Sequence, residues 1–144
     1  MNKIVTTSNL IRLEKIPDRP DLRFEQKLWD AGIEVVVGLD EAGRGAWAGP
    51  VAAAAVVFEP VKEIMDILSG VRDSKIMTPR QRDKWSEVIR SEVRCWSVGI
   101  ASHKEIDLIG IVPATRVAMG RALVYNTAHF LDRVRWGRLG SLVH

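Results

Sequence analysis

Apolar positions in this chain fall into two rhythms, and the switches between them mark the elements. Val35 to Leu39 is an apolar run without alternation, the pattern of a strand covered on both faces. Val51 to Phe58 reads as a second strand, whose alanines would let a helix pack close above it, and Cys95 to Ala101 as a third. Helical spacing appears from Asp21 to Trp29, where Leu22, Phe24, Leu28 and Trp29 recur and Gly32 supplies a stop. Thr78-Pro79 opens a second helix, with an N-cap and a proline at the first position, running to about Arg90. Ser102 caps a short turn around Lys104 to Leu108, with Glu105 at the capping-box position, and a longer helix is predicted from Pro113 to Tyr125. Residues 1–17 show no clear period and read as a loosely attached arm; residues 18–144 form the domain. Strands first, then strands alternating with helices, predict an α/β fold with a mixed β-sheet flanked by helices.

Composition narrows the class. The chain has 144 residues, 47% of them hydrophobic and 27% charged, which suits one globular domain with a real core. The longest apolar stretch is too short to span a bilayer, and MNKIVTTSNLIRLEK lacks the apolar centre of a signal peptide. The expectation is a cytoplasmic monomer with no membrane partner. A single cysteine, Cys95, leaves no internal disulfide and no cysteine-based zinc site. His103, His129 and His144 are scattered without ligand spacing. A net charge of +3 permits an anionic partner without requiring one. The mid-chain group Arg80, Arg82 and Lys84 reads as a solvated helix face, and Arg133, Arg135 and Arg138 crowd the end of the chain. Trp29, Trp85 and Trp96 fall at apolar-periodic positions and are assigned to the core; Trp47 and Trp136 could pack or stack on bases.

The chemistry concentrates in GLDEAGRGAWAGPVAAAAVV, from Gly38 to Val57. Asp40 and Glu41 end an apolar run, and Gly43-Arg44-Gly45 follows. Neighbouring side chains on a strand point to opposite faces, so both carboxylates reach one site only if the chain turns there. Oxygen-only donors suit a hard cation such as Mg²⁺ or Mn²⁺, which keeps water and substrate phosphate in the rest of its shell. Arg44 fits beside such an ion if a phosphodiester arrives between them, and the glycines expose amides that can approach a sugar or phosphate closely. A nucleotide-cradling loop fails, because there is no Gly-Lys-Ser/Thr ending and the segment leads into a strand. A purely structural tight turn is the remaining alternative.

Gly38-Leu39-Asp40-Glu41-Ala42-Gly43-Arg44-Gly45, then Ala48-Gly49-Pro50-Val51 and Ala53-Ala54-Ala55-Val56, resembles the signature of ribonuclease HII, the type 2 ribonuclease H family. Asp73-Ser74-Lys75 before Thr78 and Arg82, and Glu105-Ile106-Asp107 with Ala114-Thr115 and Ala118-Met119, resemble later motifs of that family in the same order. The lead-in Pro20-Asp21-Leu22, with Phe24, Glu25 and Gly32, also matches, so the resemblance covers about residues 20 to 125.

The resemblance implies a ribonuclease H-like fold and metal-dependent endonucleolysis. The substrates it implies are the RNA strand of RNA/DNA hybrids and ribonucleotides embedded in duplex DNA. Asp40 and Glu41 would be the first two of four acidic ligands for two Mg²⁺ or Mn²⁺ ions. Gly43, Arg44 and Gly45 would sense the ribose 2′-hydroxyl, and Ser74 and Lys75 would contact backbone phosphate. Asp132 is the candidate third catalytic acid and metal ligand, expected on a strand neighbouring a central strand that ends in Asp40 and Glu41. The family's fourth acid and C-terminal helices find no counterpart before His144. The tail WGRLGSLVH departs from the family pattern, and Gly110 stands where an asparagine is common. The chain is therefore expected to represent the N-terminal portion of such an enzyme, with at most trace cleavage. The alternative is a catalytically incomplete fragment that only binds nucleic acid or has no activity.

Overall fold

A computed structural model describes residues 21–60 and 63–140, with side chains through Asn126. The arm assigned to residues 1–17 lies outside the described residues. In chain order the elements are α1 (Arg23–Asp30), β1 (Val37–Ala42), β2 (Val51–Val57), α2 (Glu63–Ile67), a 3₁₀ turn (Ser74–Ile76), α3 (Pro79–Glu92), β3 (Cys95–Ala101), α4 (His103–Ile109) and α5 (Ile111–Gly140). The fold is α/β, as expected and as a ribonuclease H-like fold requires.

The three strands form one sheet in the order β1-β2-β3, and both pairings are antiparallel. Alternation then decides which residues meet the helix. Val51, Ala53, Ala55 and Val57 of β2 are buried, as are Cys95, Ser97, Gly99 and Ala101 of β3. Helix α5 lies over this face, chiefly on β3 and β2 and only marginally on β1. Its stripe Ala114, Ala118 and Ala122, spaced four apart, is fully buried. Small residues meet on both sides, so the helix approaches closely. A Cβ added at Gly99 would clash with the Ala118 carbonyl and lie 2.5 Å from the Ala122 nitrogen.

Polar groups trapped in that interface are satisfied. The Ser97 hydroxyl donates to the Ala122 carbonyl at 2.6 Å. Asn126 receives the Cys95 thiol at Oδ1 (3.3 Å) and donates Nδ2 to the Ala55 carbonyl (3.2 Å). Cys95 is thus the small buried group the sequence suggested.

The opposite face is bare. Trp96, Val98 and Ile100 are 41%, 43% and 52% exposed, so Trp96 corrects its assignment to the core: strand alternation turns it away from α5. The Arg90 guanidinium lies 5.6 Å from the centre of its ring instead. Trp85 does pack inward, its ring occupying the space a Cβ at Gly70 would need. The caps at Thr78 and Ser102 form as expected, each with a complete capping box, to Gln81 and Glu105 respectively.

Candidate active site

Strand β1 does not end at Leu39. Pairing with β2 continues through Asp40↔Ala54, Glu41↔Ala53 and Ala42↔Ala52, and the turn begins only at Gly43. Backbone pairing is indifferent to side-chain charge, and the Asp40 carboxylate stays in solvent, so the acidic pair imposes no break on the strand. Directly opposed residues share a face. Glu41 therefore stands in the row of Ala53 and Gly99, on the α5 side, while Asp40 stands in the row of Ala54 and Val98, on the bare side. The expected turn at the pair is corrected: the two carboxylates leave opposite faces of a regular strand. The central position is corrected too, since β1 is an edge strand of the described sheet.

Asp40 is exposed, and its Oδ1 accepts the Glu41 N–H at 2.9 Å. Glu41 is half-buried and holds Arg44, whose Nη1 donates to Oε1 at 3.1 Å. Arg44 thus folds back over the carboxylate three residues earlier, leaving the rest of its guanidinium fork directed outward. Gly43 makes this possible. Its φ of +98° favours glycine, and a Cβ there would lie 2.7 Å from the Pro50 carbonyl. Its own carbonyl accepts the Ala46 N–H at 3.2 Å, closing the turn. Gly45 has nothing within 4 Å of where a Cβ would sit, so a ligand can approach its backbone. Trp47 is fully exposed at the tip of the same loop.

Ser74 and Lys75 occupy the 3₁₀ turn before α3. Among the described residues no hydrogen bond or ion pair joins this turn to the Gly43–Gly45 loop, and the Lys75 ammonium has no partner. Asp132 falls within α5 and not on a strand, which corrects the expected strand placement; its side chain lies outside the described residues. The Arg133 cluster lies there as well. Among the described residues no group of three or more His, Cys, Asp or Glu side chains could hold a metal ion. Of the two carboxylates, Asp40 is open to solvent and suits a hard divalent cation that keeps most of its water, while Glu41 leaves the opposite face of the strand paired to Arg44.

Sequence reasoning placed Arg82 in the Asp73-Ser74-Lys75 motif and on a solvated helix face, but gave it no role of its own. Its Nη1 donates to the carbonyls of Ser74 (3.2 Å) and Met77 (2.7 Å), across the turn that carries Lys75. Charge and spacing alone carried no signal for this, because a carbonyl partner is invisible in sequence.

Comparison with known proteins gives the family. The family model described as Ribonuclease HII matches residues 37–135, from the start of β1 into α5. Ribonuclease HII of Synechococcus sp. (strain JA-3-3Ab) is 45% identical over 126 residues, covering 85% of this chain and 57% of that protein. Ribonuclease HII of Roseiflexus castenholzii is 47% identical over 106 residues, covering 73% of this chain and 47% of the relative. That of Halorhodospira halophila is 52% identical over 89 residues, 61% of this chain and 42% of the relative. An α/β sheet that carries an acidic strand end and a glycine-arginine loop is thereby placed in a class. The chain belongs to the ribonuclease HII family, and it spans about half the length of the curated relatives it matches. No helix among the described residues is long and apolar enough to cross a membrane.

Proposed function

We propose that this chain carries the substrate-sensing part of a divalent-metal-dependent endoribonuclease that hydrolyses RNA in RNA/DNA hybrids and at ribonucleotides embedded in duplex DNA. The observation that carries the reading is the junction at the end of β1. There Asp40 and Glu41 run directly into a glycine loop whose arginine is already held, at the position where the family signature sits.

Asp40, the carboxylate left open to solvent, would be the first ligand to Mg²⁺ or Mn²⁺, with Glu41 and Asp132 as the further ligands that the family resemblance implies. When bound, such ions supply a water activated at neutral pH and positive charge for the leaving oxygen. The chain's own residues do the positioning. The ion pair with Glu41 sets where the Arg44 guanidinium lies, so its free N–H groups meet a phosphate without first being ordered. The open backbone at Gly45 lets a ribose edge come within hydrogen-bonding reach, where a 2′-hydroxyl distinguishes RNA from DNA. Ser74 and Lys75, whose side chains have no partner among the described residues, offer a hydroxyl and an ammonium to the backbone of the duplex.

A second reading is favoured by the strand geometry: Asp40 and Glu41 leave opposite faces of β1, so the chain binds hybrid duplex and cleaves it at most in trace. One experiment separates the two. Purified chain is incubated with a labelled RNA/DNA hybrid, and with duplex DNA containing one ribonucleotide, in Mg²⁺ or Mn²⁺. Cleavage that Asp40→Asn abolishes supports the enzyme; retention of labelled duplex without product supports the binding module. Neither retention nor product defeats both.

A further inference from the structure

The turn that carries Ser74 and Lys75 is fastened entirely through its backbone. Asp73 Oδ1 accepts the Lys75 N–H at 2.9 Å, and the Asp73 carbonyl accepts the Ile76 N–H at 3.1 Å. The Met77 N–H reaches the Ser74 carbonyl at 3.4 Å, near the limit for a hydrogen bond. This short 3₁₀ turn has little strength of its own. Its side chains stay free: Ser74 and Lys75 are exposed, and neither side chain has a partner among the described residues.

A single nitrogen bridges the two ends of the turn. Arg82 Nη1 has two hydrogens, directed to the Ser74 and Met77 carbonyls at 3.2 and 2.7 Å. Arg82 stands in the first turn of α3, whose start is fixed independently by the Thr78–Gln81 capping box. The guanidinium therefore ties a weak turn to a rigid helix. Among the described residues no carboxylate pairs with it, so the charge strengthens bonds to neutral carbonyls.

We infer that Arg82 is a positioning residue that holds the Ser74–Lys75 turn in the conformation that meets the duplex backbone. The inference rests on the proposed function, because it takes Lys75 as a phosphate contact. An ammonium on a flexible stem gains most when its own backbone is already fixed, since less motion is lost on contact.

Two measurements on the 144-residue chain test it: affinity for a fluorescein-labelled RNA/DNA hybrid by anisotropy, and exchange of the Lys75, Ile76 and Met77 amides by NMR. Arg82→Ala is expected to weaken binding roughly tenfold, the loss of about one charge-assisted contact, and to speed exchange of those amides. In a Lys75→Ala background the same change is expected to weaken binding no further. Arg82→Lys keeps the charge but not the planar fork, so it is expected to leave both defects in place. Additive losses in the double variant would make Arg82 a direct phosphate contact and overturn the inference, as would full rescue of binding by Arg82→Lys. Unchanged amide exchange in Arg82→Ala overturns the clamp itself. If Lys75→Ala binds like the parent chain, the duplex reading of the turn fails and the positioning role falls with it; the exchange data distinguish that failure from loss of the clamp.

Discussion

Glu105 shows how one side chain can serve three partners. Its Oε2 accepts from the Ser102 N–H (2.8 Å) and hydroxyl (2.9 Å), and Arg121 donates to both carboxylate oxygens, at 2.7 and 3.2 Å. Arg121 also donates to the Ile100 carbonyl at 2.6 Å, so the group ties α4, α5 and the end of β3 together. The Arg121 hydrogen bonds above all, then those from Ser102, lower the Glu105 carboxyl from 4.5 to about 2. The same pairing holds the Arg121 guanidinium above its ordinary value. A carboxylate whose folded pKa is depressed stabilises the fold above its unfolded pKa and loses that contribution as pH falls through the folded one. Urea midpoints followed from neutral pH downward should therefore fall between about pH 4.5 and about pH 2. Glu105→Gln should lower the neutral midpoint and flatten that fall. Gly99 gives the sharper residue-scale test. An added methyl would meet α5 backbone, which cannot rotate aside, so Gly99→Ala should cost about 3 kcal/mol in urea denaturation. Sequence reading placed Glu105 correctly because a capping box is local; Arg121 lies sixteen positions away and left no local trace.

At the scale of elements, local signals were legible and tertiary ones were not. The capping box at Thr78 needs only residues 78 to 81, and Thr78→Ala should cost about 1 kcal/mol of stability, measured by thermal or urea unfolding. Helix α5 begins at Ile111, earlier than Pro113 suggested, because a proline in the first turn gives up an N–H that has no intrahelical partner anyway. It then continues past Tyr125 to Gly140, as no proline follows to stop it. Strand β1 was placed two residues early and ended three too soon, since charge was taken as a boundary where backbone pairing recognises none. In β3 the large apolar residues Trp96, Val98 and Ile100 advertise a core face, yet α5 covers the small ones. Helix and sheet approach closely only where both are small, so side-chain size pointed to the wrong face.

Among the described residues the sheet has one face covered by α5 and the other largely open. Among the described residues Val51 and Val57 are the largest side chains buried completely, so the core there relies on close backbone approach more than on bulk. Val51→Ala should cost about 2 kcal/mol, while Val98→Thr and Ile100→Thr should each change stability by less than about 0.5 kcal/mol. Paired urea titrations would check both. The open face should also bind an apolar dye such as anilinonaphthalene sulfonate, with enhanced emission that Ile100→Lys reduces. The register of β1 has a consequence on this scale. Its partners Ala52 to Ala55 are nearly interchangeable, so side chains give the strand few landmarks against sliding. What fixes parity is the turn at Gly43, where a φ of +98° and the nearby Pro50 carbonyl leave no room for a side chain. A slip of one step would send Asp40 toward α5 and Glu41 into the open, each still opposite an alanine. Damage at residue 43 would then act as a transposition: a folded sheet with its two acids exchanged.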